Sequence, residues 1–329
     1  NDEDNSQRDS LQNCWALPYK PNVIDVTPLV CEELQGRIER LGRGMVPSDA
    51  IVLSCGVDIG KRLGHYQILA RRSEGDRAHV VEYGCIEIES DKFGVHKATL
   101  LALREFADKC KKGWPLAAGG TMSLTQCWID CGWDESRPAI VEFCREQQQQ
   151  LGAETFRPLI GRGMAAELRR QYQRPTKVNQ EIRFIGENYH LIWNRDDRIH
   201  LVQVNSDFWK SWLHDRLATP ATADGALTLF EATRREHHTF CKHLTAETRR
   251  QEFIPDKGVV SLWIKLRDNN HYLDAAAYSG AASHFSLIVK SAEGQPVAAA
   301  TIIAPFRMPD GRALPITGRD DEQRRESYG

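Results

Sequence analysis

Apolar positions along the chain change their spacing several times, and each change marks a predicted element. In "TPLVCEELQGRIERL", Val30, Leu34, Ile38 and Leu41 fall on one side of a 3.6-residue turn, which predicts a helix over 27–41. Strand patterns follow at 51–58, 65–71 and 78–86. Short polar connections join these three, so an antiparallel meander is expected. Helical spacing returns at 95–110, a strand is expected over 123–133, and a second long helix over 137–152 closes on Gly152. "ETFRPLIGRG" reads as a fifth strand leading into a basic loop, and 189–205 as a hairpin around Arg195–Arg198. Later elements are a helix beginning "SDFWKSWLHDRL", capped by Ser206, a strand over 259–266, and a small-residue helix over 269–288.

Three strands, helix, strand, helix, strand, an elaborated insertion and a final helix make a mixed α/β pattern. The expected architecture is a ribonuclease H-like mixed sheet with helices on both faces. Residues 1–44 read as a linker and N-terminal helix, 45–290 as the domain, and 291–329 as a disordered tail. No apolar run approaches the ~20 residues that cross a bilayer. The acidic start "NDEDNSQRDS" is not a signal peptide. Nine scattered cysteines suggest reduced thiols in a cytosolic setting. A net charge of −2 excludes a surface coated with phosphate contacts but leaves room for a local basic groove.

The candidate chemistry lies in three acids. Asp58 ends the first strand, Asp130 ends the fourth, and Asp274 falls in the first turn of the last long helix. If the first and fourth strands are neighbours, Asp58 and Asp130 stand side by side, and a helix crossing that edge brings Asp274 to them. Single acids at strand ends usually just meet solvent. Three ionised carboxylates together need a cation, and hard oxygen ligands select Mg²⁺ or Mn²⁺ over Zn²⁺. Two such ions are the expected cofactors, one to activate the attacking water and one to stabilise the leaving 3′ oxygen.

The stretches "LSCGVDIGKRL", "WIDCGW", "VQVNSDFWKSWLHDRL", "HLTAETRR" and "NNHYLDAAAYSGAA" appear in this order over about residues 45–288. On them the chain resembles the nuclease half of the phage terminase large subunit, in the GpA-like family. The resemblance implies a metal-dependent endonuclease that cuts concatemeric double-stranded DNA during packaging, with its acid triad on Asp58, Asp130 and Asp274. It also implies work in the host cell cytoplasm alongside the terminase small subunit and the portal protein. Two departures stand out: Gly60 where the family often has Gln, and His271 where it often has an acid. His271 is therefore a further candidate metal ligand, proton shuttle or phosphate contact. No "GxxxxGK[ST]" phosphate loop occurs, so the packaging ATPase is absent from this sequence. The linker-like start favours a fragment of a longer protein over a stand-alone nuclease. A non-catalytic docking scaffold and an integrase- or resolvase-like enzyme are the competing readings.

Basic residues concentrate in "FRPLIGRGMAAELRRQYQRPTK", giving Arg157, Arg162, Arg169, Arg170, Arg174 and Lys177 as candidate DNA contacts, with Lys61 and Arg62 as a second group. Such a run can equally be a solvated face. "HHTFCKH" matches no standard zinc spacing, so a structural role is expected there. Cys127, Cys131, Trp209 and Trp212 read as core, and Asp134 and Glu135 as surface or capping residues.

Overall fold

The computed structural model describes residues 28–163, 171–254 and 258–292. The expected linker over 1–22 and the tail beyond residue 292 lie outside these. The chain opens with a short helix α1 (Cys31–Leu34) and strand β1 (Ile38–Gly42). A meander of three ten-residue strands follows: β2 (Ala50–Ile59), β3 (Leu63–Arg72) and β4 (Ala78–Glu87). After it come α2 (Ser90–Phe93), α3 (Val95–Lys111), the small strands β5 (Trp114–Pro115) and β6 (Thr121–Met122), then β7 (Gln126–Asp130), α4 (Arg137–Leu151) and β8 (Phe156–Arg162). The insertion supplies β9 (Ile182–Ile185), β10 (Tyr189–Asn194) and β11 (Ile199–Asn205), followed by α5 (Ser206–Ala218), β12 (Leu227–Glu231) and α6 (Arg234–Leu244). A hairpin of β13 (Glu247–Ile254) and β14 (Gly258–Lys265) leads to the long helix α7 (His271–Ala292).

Ten strands form one mixed sheet in the order β1-β12-β4-β3-β2-β7-β8-β11-β10-β9. Its centre is the antiparallel meander β4-β3-β2, with β7 and β8 added in parallel on the β2 side. Side chains alternate across each strand, so the sheet has two apolar faces. On one, Leu53, Cys55, Val57, Cys127 and Ile129 pack against Leu103 and Phe106 of α3 and Ile140 and Phe143 of α4. On the other, Leu69, Val80, Trp128, Leu159 and Val202 meet side chains from α5, α6 and α7. This is a ribonuclease H-like fold with helices on both faces.

Several elements differ from the sequence expectation. The helix expected over 27–41 is one turn long, because Gly36 follows its end and Ile38–Gly42 pairs instead with β12 in parallel. Strand pairing overrides helical spacing in so short a segment. The cap of α5 is Asn205, whose side chain accepts from the Phe208 N–H at 3.2 Å, rather than Ser206. The sequence reading passed over α6, although Thr233 and Glu236 form a capping box at its start. It also left out β9, β12 and β13. Helix α4 does end at a left-handed Gly152.

Candidate active site

The site is built where α7 crosses the central strands. Ser54, Gly56 and Asp58 alternate onto the face of β2 that α7 covers. The Ser54 hydroxyl donates to the Ser279 carbonyl at 2.9 Å, fixing the helix on the strand. At Gly56 the two backbones approach so closely that a first side-chain carbon would lie 2.5 Å from the Ser279 nitrogen. Small residues on the helix, including Ala275, Ala276 and Ser279, allow the same approach from the other side.

This approach brings the three sequence-predicted acids to one region. Strands β2 and β7 pair in parallel from Ser54–Gln126 to Val57–Ile129, so Asp58 and Asp130 come next in register. The Asp130 Oδ1 accepts the Gly132 N–H at 2.8 Å, and its Oδ2 accepts the Tyr278 hydroxyl at 3.0 Å. Asp274 comes from the first turn of α7. Its Oδ1 pairs with the Lys210 ammonium at 2.9 Å, and its Oδ2 accepts from the Asn270 side-chain amide at 2.8 Å. His271 donates through Nδ1 to the Asp58 Oδ2 at 2.7 Å. With Nδ1 committed, only its Nε2 could coordinate a metal.

The electrostatics follow from burial and crowding. Burial, then the Asp58 charge, push the Asp130 carboxyl up to about 7, and Asp274 adds to the effect. Burial raises Asp274 to about 6, with Asp58 and Glu247 adding to the rise and Lys210 opposing it. The hydrogen bond to Asp58 raises His271 against the pull of burial. Burial is the larger cause for both acids and the charge of Asp58 adds to it, and carboxylate oxygens are hard donors. That chemistry fits Mg²⁺ or Mn²⁺. Among the described residues, no group of three or more His, Cys, Asp or Glu side chains is already gathered around a single ion position.

The raised Asp130 carboxyl has a stability consequence with a definite sign. The folded protein holds this proton to about pH 7, whereas an unfolded aspartate releases it near ~4. The contribution is therefore complete below about pH 4 and lost as the pH rises through about 7. Other groups, such as the buried His65 and the half-buried His214, act in the opposite sense. The clean measurement is a difference. Asp130→Asn in metal-free buffer is expected to gain on the wild type between pH 5 and 8, by ~1 kcal/mol or more, or ~2–4 °C in Tm. A Tm difference that stays flat over that range would show that Asp130 carries no such burden.

Sequence reading missed several residues of the site. Lys210 and Glu247 are both buried and pair at 2.8 Å. His65 stands opposite Asp58 on β3, and its ring stacks on His271 at 4.7 Å between centroids. Burial, then His271, push His65 down to about 4. His243 packs beside both. A hairpin register drawn from the meander would have found His65. Nothing in the sequence marks Lys210, which sits between Trp209 and Ser211 in an ordinary helical pattern.

The candidate DNA contacts divide. Arg157 departs from expectation: it is buried, pairs with Glu154 at 2.7 Å and donates to Gln126 at 2.9 Å, so its guanidinium serves the fold. Arg162 is half-buried and donates to Gln203 at 3.1 Å. Arg62 is exposed but tied to Asp91 at 2.9 Å. Lys61, Arg174 and Lys177 are exposed. Arg169 and Arg170 lie outside the described residues. In "HHTFCKH", His237 bonds to Tyr83 and to the Phe230 carbonyl, and Cys241 is core. Asp134 and Glu135 are exposed, just ahead of α4. Trp209 is core, and Trp212 carries the guanidinium groups of Arg71 and Arg216 on its ring.

The sheet is ribonuclease H-like, with Asp58 and Asp130 at the adjoining ends of two parallel strands and Asp274 on the helix that crosses them. The family model for the terminase large subunit gpA endonuclease domain matches residues 1–292, and the chain belongs to that family. No curated protein matches the chain. Among the described residues, no helix is long and apolar enough to cross a membrane.

Proposed function

We propose that this domain is an endonuclease that hydrolyses phosphodiester bonds of double-stranded DNA during phage genome packaging, with Mg²⁺ or Mn²⁺ as cofactor. What supports this reading is that Asp58 and Asp130 end adjoining parallel strands and that the Asp58 charge acts on both Asp130 and Asp274, which are raised to about 7 and 6. These carboxylates would hold the metal. When bound, the metal would supply activation of the attacking water and charge stabilisation at the reacting phosphate. His271 fixes the orientation of Asp58, and the Tyr278 hydroxyl and the Gly132 N–H fix Asp130. Lys61, three residues beyond Asp58, meets DNA phosphates beside the cut, and Arg162, Arg174 and Lys177 meet them further along. In the cell the domain works in the host cytoplasm, with the terminase small subunit and the portal protein as partners.

A plasmid-nicking assay tests this directly. Supercoiled DNA is expected to be cut with Mn²⁺ or Mg²⁺ and left intact with EDTA, and cutting under subsaturating protein should fall as salt rises, since phosphate contacts release counterions. DNA that stays supercoiled with either metal, while the protein still binds it, would favour the docking-scaffold reading.

A further inference from the structure

Lys210 lies at the acid site with no role in the reading above. It projects from α5, is buried, and its ammonium bridges Asp274 Oδ1 at 2.9 Å and Glu247 Oε2 at 2.8 Å. The Asn270 amide closes the arrangement, donating to Asp274 Oδ2 at 2.8 Å and to Glu247 Oε1 at 2.6 Å. Lys210, Asp274, Asn270 and Glu247 thus form a closed ring in which both oxygens of both carboxylates are engaged. The Asp58 and Asp130 side of the site is different. There the partners are one histidine, one hydroxyl and one backbone N–H, and no lysine or arginine is paired with either acid among the described residues.

We propose that Lys210 is a built-in cation of the centre and takes the place of a second divalent ion. One ion then binds on the Asp58 and Asp130 side, while Lys210, anchored by Glu247, neutralises and positions Asp274. This rests on the nuclease reading and narrows it from two ions to one. The physical case is charge and space. A divalent ion at Asp274 would have to displace a buried ammonium from two carboxylates at once and leave that ammonium without partners in a closed interior, which is costly. An ion between Asp58 and Asp130 displaces no lysine or arginine, and only the His271 contact on Asp58 has to adjust. Lys210 is a positioning residue here, acting through Asp274.

The test counts ions rather than cuts. Isothermal titration of the metal-free wild-type protein with Mn²⁺ is expected to give one ion per chain. Asp58→Asn should weaken that ion by more than ~100-fold, since even outer-shell changes cost ~10–100-fold. The double variant Lys210→Met/Glu247→Gln, which removes one charge of each sign, should take up a second Mn²⁺. Two ions in the wild type, or one in a folded double variant, would overturn the proposal. If the double variant does not fold, Mn²⁺-soaked wild-type crystals decide: an anomalous peak on Asp58 and Asp130 with Lys210 still on Asp274 supports it, and a peak on Asp274 with Lys210 displaced overturns it. The two readings fail differently. Wild type that takes two ions and nicks plasmid loses only the role of Lys210, whereas wild type that takes none and does not nick loses the nuclease reading as well.

Discussion

Asp58→Asn is expected to reduce plasmid nicking by about 10³-fold or more while leaving the domain folded. Asparagine keeps the shape of the side chain and an oxygen that can face His271, but it removes the charge that the proposed metal site needs. A metal supplies several kcal/mol of transition-state stabilisation, and each ~1.4 kcal/mol is a tenfold change in rate. The fold should tolerate the change because two effects oppose each other. The charge-assisted bond from His271 at 2.7 Å is weakened. In return, Asp130 and Asp274 lose a neighbour whose charge raises them both. The metal-free stability should therefore change by no more than ~1 kcal/mol, or ~2–4 °C in Tm. Mn²⁺ should raise the Tm of the wild type more than that of the variant, because an ion that binds only the folded site stabilises it by mass action. A variant that nicks at the wild-type rate would make Asp58 a structural acid.

The second large effect is expected at a residue with no chemistry of its own. In Gly56→Ala, the added methyl meets the backbone of Ala275, Ser279 and Tyr278. Backbone cannot swing aside as a side-chain tip can, so α7 must move off β2. Overpacking of this kind costs ~1–3 kcal/mol and sometimes more. The same shift carries Asp274 away from Asp58, and a misplacement of ~1 Å can cost ~10²-fold in rate. Urea unfolding should show the stability loss, and nicking by the folded fraction should show the rate loss. Gly42→Ala is the control, since a methyl there meets nothing within 4 Å. Wild-type stability and activity in the Gly56 variant would mean that the strand and helix are not locked at this point.

These two residues also show what the sequence can and cannot tell. Asp58 was legible because an acid at the end of an apolar strand is conspicuous, and the pattern of the meander, of α3, α4 and α7 and of β7 sufficed to place the strands that matter. The adjacency of β2 and β7 was a condition of that reading, and the parallel pairing of the two strands meets it. The helix expected over 27–41 failed because Ile38 and Leu41 have a partner, β12, that local spacing cannot reveal. Gly56 was silent because a glycine in a strand does not announce what approaches it. Lys210 and Glu247 were silent for a related reason. A lysine in a helix reads as solvent-facing, and only the packing of α5 beside the start of α7 turns it inward. Arg157 misled in the other direction, since its burial depends on Glu154 and Gln126 from neighbouring segments.

The close seat of α7 against β2 also sets an order in time. Asp58 and Asp274 are separated by 216 positions, from 58 to 274. At ~5–20 residues per second of synthesis, ~10–40 s pass between the making of the first acid and the last. Through that interval the growing chain carries β2 with Asp58, and then β7 with Asp130, but not the helix that completes the site. If the three acids act together as proposed, a chain still being made has no complete centre. The proposed centre is complete only once α7 has left the ribosome and settled on β2.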